Sequence, residues 1–539
     1  MSNSTKYIFV TGGVASSLGK GIISASLAKL LQARGYKVTI QKLDPYINID
    51  SGMLNPYEHG ESYVTDDGTE ADLDLGHYER FLNVTTSKDN NITTGRIYQA
   101  VINKERNGEY DGKTVQVIPH ITDEIKEKIQ SLNQDGGYEI IITEIGGTVG
   151  DIESLPYIEA IRQMRWELAE DCIVIHLTLI PYLKAAGELK TKPTQNSVKQ
   201  LLELGVQPDI LCCRTEHKLD LELRNKLARF CNVEPEAVIE AMDAPSIYDV
   251  PLMIQDEELD VIVLKQLNLS RKSVPDLSSW NEFLYNLKNP TSEVTIGLVG
   301  KYVELKDAYK SISEAFIHGG TVNRCEVNIK WVHAEDLNKS KTEELLEGLQ
   351  GILIAPGFGE RGIAGKINAV QYAREKKIPF LGISLGMQCA VIEFARNVIG
   401  LKDANTAEIS KDTKNPVISF MEEEKAKLEN IDPRGMRIGQ YRCELKSNSN
   451  IYNTYNREVI YERHRHKFEV NSKYIEVLEE HGMKVTGVNP ETGFVEVIEI
   501  EDHPWFVGVQ FHPEYKSTVA SPHPLFTSFI KAVLNHSKQ

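Results

Sequence analysis

Thr11-Gly12-Gly13-Val14-Ala15-Ser16-Ser17-Leu18-Gly19-Lys20-Gly21 lies between an apolar run, Tyr7–Val10 (YIFV), and a stretch with helical spacing, Ile22–Ala33 (IISASLAKLLQA). A glycine-rich turn between a strand and a helix aims backbone N–H groups and the positive helix end at an anion. Lys20 adds a point charge suited to β- and γ-phosphates. In the standard phosphate loop four residues separate the glycines and Ser or Thr follows the lysine. Here five residues separate Gly13 from Gly19, and Gly21 takes the Ser/Thr place. The loop is a variant of that motif, and it predicts a P-loop-like α/β domain.

Outward from this loop, Gly35 closes the helix as its C′ residue, and Lys37–Gln41 (KVTIQ) reads as the next strand. A βαβ unit of this kind seeds a parallel sheet. Further buried strands are expected at Glu139–Thr143, Ile173–Leu179 and Asp209–Cys213. Residues 1–270 are therefore read as one α/β domain. The more polar stretch 271–293, with Pro275, Pro290 and a possible helix at Ser279–Leu287, reads as a linker. A second α/β pattern, 294–539, opens at Val294–Val299 and continues with Gly351–Ala355, Pro379–Ile383, Val485–Val488, Phe494–Ile500 and Phe506–Phe511.

The chain has 539 residues, room for two to four domains at roughly 100–200 residues each. Sixty Lys and Arg against 77 Asp and Glu give a net charge of −17, which argues against a general nucleic-acid binder. With 41% hydrophobic and 25% charged residues the composition is that of a folded chain rather than a disordered one. No run approaches a membrane span, and Met1–Tyr7 holds no apolar leader. The seven cysteines form no C-x-x-C pair, so neither a zinc site nor a disulfide framework is expected. These features suit a cytoplasmic enzyme.

With no Ser or Thr after Lys20, a magnesium ion needs other oxygens. Asp72 and Asp74 are expected on one side of an extended segment, and Glu144 ends a buried strand at the edge where α/β sheets bind ligands. Such carboxylates are hard-cation ligands. In the second half, Gly382-Ile383-Ser384-Leu385-Gly386 joins an apolar strand to a helical stretch, Met387–Ala395. A G-x-nucleophile-x-G turn presents its middle residue at a sharp elbow, and the Leu385 N–H is placed to help form an oxyanion hole. Near the end, His512 and Glu514 in Val509–Glu514 (VQFHPE) are two residues apart on what reads as a strand, so both face one side. That arrangement suits a base oriented by a carboxylate.

The stretches TGGVASSLGKG (Thr11–Gly21), KLDPYINID (Lys42–Asp50), NPYEHGE (Asn55–Glu61), DLDLGHYERF (Asp72–Phe81), TTGRIY (Thr93–Tyr98), TVQVIPHIT (Thr114–Thr122), EIGGTVGDIESLPYIEAIRQ (Glu144–Gln163) and GELKTKPTQ (Gly187–Gln195) occur in this order. Together they resemble CTP synthase over nearly the whole chain. The resemblance implies an α/β fold with an N-terminal P-loop-like (Rossmann-like) synthetase domain and a C-terminal class I glutamine amidotransferase domain. It implies ATP-dependent phosphorylation of UTP at O4 and displacement of the phosphate by ammonia from glutamine. By the same resemblance Lys20 and Lys42 are catalytic and Asp74 and Glu144 bind Mg2+. Ser17, Leu18, Gly19, Lys20, Gly21, Ile22, Asp74 and Asp243 fall at the ATP site. Ser16, His59, Asp151, Glu153, Lys190, Lys192, Gln195 and Lys226 fall at the site of UTP and the feedback inhibitor CTP. Lys190 and Lys192 are expected on one side of an extended segment.

In the second domain the resemblance makes Ser384, His512 and Glu514 the catalytic triad, with Gly357, Leu385, Gln388, Glu408 and Arg465 holding glutamine. A zwitterionic amino acid calls for one anion and one cation, here Glu408 and Arg465. His464 and His466 flank Arg465 and are expected near a hinge. GTP activation is implied through Lys310, in Asp307–Ser311, through Arg361, and through a lid at Asp432–Gly439, where the sequence departs from the usual Gly-Gly-Thr. A homotetramer that can stack into filaments is implied as well.

Class I amidotransferases use cysteine where this chain has Ser384. A serine hydroxyl is far harder to deprotonate than a thiol, so glutamine-supported activity is expected to be severely reduced and ammonia-supported activity kept. Cys389 is five residues on, about 140° around a helix, and does not replace it. The serine is either a substitution that holds glutamine bound or a loss that leaves an ammonia-dependent enzyme; the intact remaining motifs favour the first. Two other readings remain: a nucleotide-sensing scaffold without catalysis, and a serine esterase in the second half. Serine α/β-hydrolases place the acid before the histidine, the reverse of the order here.

Overall fold

The computed structural model describes residues 4–133, 137–420 and 435–538. The chain divides into two compact units, Met1–Ser51 with Asp74–Ser279, and Gly52–Leu73 with Trp280–Gln539. This division differs from the expected 1–270, 271–293 and 294–539 chiefly in giving Gly52–Leu73 to the second unit. The expected linker holds a helix, Ser278–Lys288, and the next sheet begins at Ser292.

The first unit is built on seven strands: β1 (Lys6–Gly12), β2 (Val38–Asp44), β3 (Asn91–Thr93), β4 (Ile140–Ile145), β5 (Cys172–Ile180), β6 (Ile210–Thr215) and β7 (Val238–Met242). Their order in the sheet is β7-β6-β5-β1-β4-β2-β3, and every pairing is parallel. Parallel strands are covered on both faces, which is why β2 and β4 are buried at every residue. From β1 the chain runs to one side of the sheet, and later returns to place β5 on the other. The loop after β1 therefore opens at the carboxyl edge where such sheets bind ligands.

Three helices of this unit matter for its site: α1 (Lys20–Ala33), α2 (Asp74–Leu82) and α3 (Lys192–Glu203). At the end of α1, Gly35 has φ +90°, its N–H donates to the Gln32 carbonyl and the Tyr36 N–H to the Leu31 carbonyl. This is the Schellman closure expected of a C′ glycine.

The second unit has a nine-stranded mixed sheet: β8 (Ser292–Gly300), β9 (Cys325–His333), β10 (Gly351–Ile354), β11 (Phe380–Ile383), β12 (Arg437–Leu445), β13 (Val459–His466), β14 (Met483–Val488), β15 (Val495–Ile500) and β16 (Phe506–Val509). The order is β9-β8-β10-β11-β16-β15-β14-β12-β13, parallel through the first five and antiparallel beyond. Helices α4 (Lys310–Asn323), α5 (Ile363–Glu375) and α6 (Leu385–Phe394) pack on it. All ten residues of α6 are buried, so its sequence is apolar almost all round. Phe380 of β11 stacks on Phe506 of β16 with ring centroids 4.2 Å apart, which locks the two strands that carry the site described below.

Gly52–Leu73 is held in this unit by arginines of β13. Arg463 is buried and donates to the Tyr63 hydroxyl and the Val64 carbonyl at 2.9 and 3.0 Å, and it pairs with Asp66. Arg465 Nε donates to Glu70 Oε1 at 2.6 Å. Alternation along a strand puts both arginines on one face and His464 and His466 on the other, where both histidines are buried. Arg463, His464 and His466 are thus internal, while Arg465 is half-buried.

Phe380→Ala leaves a large void beside Phe506, and large-to-small changes at such sites cost about 3–5 kcal/mol. The expected outcome is a clearly lower midpoint for the unfolding transition of the second unit in calorimetry, with the transition of the first unit unmoved.

Candidate active sites

The phosphate loop departs from right-handed backbone at Val14 (φ +75°), Ser17 (φ +58°) and Gly19 (φ +95°). Gly19 caps α1 without any side-chain hydrogen bond to the first turn, so the usual substitute for a bound anion is absent from that helix end. Lys20 is buried and donates to the Gly147 carbonyl at 2.8 Å. Burial pushes its ammonium below the ordinary lysine value, partly offset by Glu144. Gly21 is explained by its neighbour: a Cβ there would run into the Asp74 carboxylate. The acid fills the space that a Ser or Thr side chain holds in the standard loop.

Asp74 begins helix α2 instead of continuing an extended segment, so the expected same-side placement of Asp72 and Asp74 is not realised. The pairing that forms is between Asp74 and Glu144, both bound to the Lys42 ammonium, with Glu144 at 3.0 Å. Tyr78 donates to the other Glu144 oxygen. Burial raises the Glu144 carboxyl above its ordinary range. Burial also works against ionised Asp74, but Lys42, His77 and Lys20 together hold it below the usual value. Among the described residues no cluster of three or more His, Cys, Asp or Glu side chains is arranged to enclose a metal. Two hard carboxylates already sharing a cation beside a phosphate loop fit magnesium, which takes one or two protein carboxylates and completes its shell with phosphate and water.

Next to this loop is an apolar cavity lined by Leu18, Ile22, Met242, Asp243, Val250 and Ile254. Leu18, Ile22 and Asp243 were expected at the ATP site; the others were missed, because isolated apolar residues carry no signal of their own. Arg214 spans the cavity edge, donating to Asp243 Oδ1 at 2.9 Å and to the Ser17 carbonyl at 3.3 Å. The cavity has the flat apolar walls and few polar groups that suit a nucleobase.

The expected pyrimidine-nucleotide residues are mostly exposed. Ser16 lies in the phosphate loop, and Asp151 accepts from the Thr148 N–H at 3.0 Å beside exposed Glu153. Lys190 pairs with Glu188, whereas Lys192 starts helix α3, so the two lysines do not share one extended segment. Gln195 follows on α3, and Lys226 is exposed on helix Leu221–Cys231. His59 is exposed and belongs to the second unit.

In the second unit Ser384 adopts φ +51° and ψ −107° between β11 and α6. Its N–H donates to the Val509 carbonyl at 2.7 Å. The flanking glycines are obligatory: a Cβ on Gly382 would lie 2.8 Å from the Gly386 carbonyl carbon, and one on Gly386 would collide with the Ile354 carbonyl. His512 sits just past β16, the strand paired with β11. The β-run ends at Val509, and His512 and Glu514 lie in a short 3-10 turn, so the expected strand geometry is wrong there. Their pairing holds, with His512 Nδ1 2.8 Å from Glu514 Oε1. The buried His512 Nε2 has no hydrogen-bond partner among the described residues, which leaves it available as a base. Cys389 is buried within α6 and burial pushes its thiol up to about 11, so it is no substitute nucleophile.

Gly357, Arg465, His512 and Glu514 line one cavity, together with Phe358 and Tyr515. The Leu385 N–H opens α6 beside Ser384. Glu408 accepts from the Gly359 N–H at 2.9 Å, and Gln388 donates to the Phe468 carbonyl and to Gln510. Gln510 Nε2 is 3.5 Å from the Ser384 hydroxyl; neither it nor two buried lysines under the loop were picked out in sequence. Lys366 donates to the Ala355 carbonyl, and Lys301 to the Phe358 carbonyl, on either side of Gly357. Lys310 pairs with Glu314 on α4 at 2.9 Å, and Arg361 pairs with Glu335 at 3.2 Å and stacks on Tyr302. The lid residues Asp432, Pro433 and Arg434 lie outside the described residues. Among the described residues no helix is long and apolar enough to cross a membrane.

A family signature described as CTP synthase N-terminus matches residues 6–269, and one described as glutamine amidotransferase class-I matches residues 304–532. The chain is 65% identical to the CTP synthase of Christiangramia forsetii, over 99% of this chain and 97% of that protein. It is 64% identical to the CTP synthase of Flavobacterium psychrophilum over the full length of both. Among solved structures, the glutaminase domain of Trypanosoma brucei CTPS with bound acivicin is 34% identical, covering 45% of this chain and 94% of that one, at a TM-score of 0.42.

Burial lowers Lys366 to about 7 in the folded chain, against 10.5 for an exposed lysine. Between those values the unfolded chain binds the extra proton, so this group makes stability rise with pH. The stability of the unmodified chain relative to Lys366→Met is expected to increase from pH 7 to pH 10, as read from unfolding midpoints. A pH-independent difference would count against a buried, depressed lysine.

Proposed function

This chain belongs to the CTP synthase family, and on that premise we propose how its own residues carry out the reaction. The family's reaction is a carbon–nitrogen ligation in which UTP becomes CTP at the expense of ATP, with glutamine or ammonia as nitrogen donor. We assign the ATP phosphates to Lys20 and the phosphate loop and the adenine to the cavity between Leu18 and Asp243. UTP, and CTP as inhibitor, are assigned to Ser16, Asp151, Glu153, Lys190, Lys192, Gln195 and Lys226 of the first unit. Asp74 and Glu144 would hold magnesium, which supplies charge neutralisation at the triphosphate. Lys42, between those carboxylates, and Lys20 bring positive charge to the phosphoryl group passing to O4 of UTP. Ammonia then displaces the phosphate at C4.

In the second unit Glu514 orients His512 to take the proton of residue 384, and the N–H groups at Gly357 and Leu385 face the developing oxyanion. Arg465 and Glu408 are assigned to the glutamine carboxylate and amino group. The supporting observation is the pairing of a strained elbow at Ser384 with a buried His512 whose Nε2 has no partner among the described residues. An acid placed after the histidine, in the turn that follows the strand neighbouring the elbow, favours the amidotransferase over an esterase. The scaffold reading loses ground to the complete set of phosphate-loop and carboxylate groups. GTP activation through Lys310 and Arg361, a homotetramer and a cytoplasmic location complete the proposal.

The test follows CTP formation by absorbance with UTP, ATP and magnesium, run with ammonium or with glutamine. Ammonium is expected to support synthesis, and glutamine to support it only at a severely reduced rate, because a serine hydroxyl is far harder to deprotonate than a thiol. Ser384→Cys is expected to restore the glutamine rate. Equal rates with both donors in the unmodified chain would refute the role given to Ser384. Lys20→Ala is expected to abolish synthesis with either donor, and retained ammonium-supported turnover would refute the phosphate-loop assignment.

A further inference from the structure

Beneath the phosphate loop lies a buried polar chain that the reaction above does not use. His176 of β5 is fully buried, as are Thr11 at the end of β1 and Ser197 on α3. Thr11 Oγ1 is 2.9 Å from His176 Nδ1, and Ser197 Oγ is 2.8 Å from His176 Nε2. Thr11 in turn donates to the Ile175 carbonyl at 3.4 Å. Where Thr11 donates to Ile175, it accepts from the His176 Nδ1–H, and Nε2 then accepts from the Ser197 hydroxyl. The imidazole is neutral in this arrangement. Burial, with Lys20 nearby, pushes its pKa down to about 3, so it stays neutral at working pH.

This chain of contacts touches the loop directly. A Cβ on Gly13 would overlap Ser197 Oγ and lie 3.1 Å from His176 Nε2. The loop backbone therefore rests on the histidine and on helix α3 with no intervening side chain, and the Gly13 N–H is tied to the Leu177 carbonyl at 3.0 Å. A second strut, Thr178 Oγ1 to Thr194 Oγ1 at 3.1 Å, links β5 to the first turns of α3. Helix α3 begins at Lys192 and carries Gln195, two of the residues assigned to UTP.

We propose that His176 is a positioning residue that joins the phosphate loop to helix α3, so that occupancy of the ATP site and occupancy of the UTP site are coupled through the Thr11–His176–Ser197 chain. The proposal rests on the nucleotide assignments made above. Neither Thr11 nor Ser197 has to touch a nucleotide. Their effect passes through the placement of the Gly13 backbone and of the α3 N-terminus, two elements whose spacing the imidazole sets.

The test is calorimetric binding of an imido-bridged, non-hydrolysable ATP analogue to the full chain with magnesium, alone and with saturating UTP. In the unmodified chain UTP is expected to tighten analogue binding. Ser197→Ala deletes a single hydroxyl. It is expected to weaken analogue binding by about two- to tenfold, the weight of one hydrogen bond, and to reduce the UTP enhancement to within about twofold of none. His176→Asn, which keeps a group near Nδ1 and loses the reach to Ser197, is expected to do the same. His176→Gln, whose amide reaches Ser197, is expected to recover part of the enhancement. An undiminished enhancement in Ser197→Ala, or no enhancement in the unmodified chain, overturns the proposal. Should His176→Asn lower the unfolding midpoint, Ser197→Ala alone decides. Failure of the functional reading looks different: nucleotides bind with the coupling intact, yet ammonium supports no CTP formation.

Discussion

The Lys42 ammonium, shared by the Asp74 and Glu144 carboxylates, is the interaction around which the loop end of the first unit is built. Two carboxylates forced together in a buried site raise one another's proton affinity, and one of them would otherwise be neutral. A shared cation holds Asp74 below its ordinary range and opposes the rise at Glu144 without cancelling it. Removing one member of such a group leaves an uncompensated buried charge, which is strongly destabilising. The geometry of the loop follows from it. Because Asp74 is drawn toward Lys42 at the start of α2, its carboxylate occupies the space beside Gly21, and the loop must carry glycine there. The departure from the standard phosphate-loop pattern and the presence of an acid from another element are two sides of one steric fact.

The second unit solves a different problem, that of presenting a reactive group on a strained backbone. Ser384 keeps a positive φ because the elements on either side leave no alternative: β11 is clamped by the Phe380–Phe506 stack, and α6 is buried along its full length. The loop opposite is tied down through its carbonyls by Lys301 and Lys366 and through the Gly359 N–H by Glu408. Lysines inside a protein are costly to keep charged, and their use at this place shows how strongly the loop is constrained.

Much of this was legible in sequence. The phosphate loop, its strand and helix, the elbow and the histidine–glutamate pair each combine a residue type with a spacing that local geometry reproduces. What failed had a common cause. Asp72–Asp74, Lys190–Lys192 and His512–Glu514 were each treated as alternating along an extended chain, yet each includes the first residues of a helix or turn. Side-chain direction changes abruptly at such boundaries, and tertiary packing sets them. The strap Gly52–Leu73 was missed for another reason. Its partners, Arg463 and Arg465, lie about 400 residues away in sequence, and no local pattern ties them to it. The apolar cavity beside the phosphate loop and the Thr11–His176–Ser197 chain are likewise products of long-range packing, invisible in any window of sequence.

At Ser384 the unusual dihedral angles belong to the main chain, and the collisions that demand glycine fall on its neighbours, Gly382 and Gly386. Position 384 is therefore a socket: the scaffold bears the conformational cost, and the side chain contributes only its terminal atom. The shape of the elbow is set by residues 382 and 386, and only the atom presented at 384 is left to the side chain.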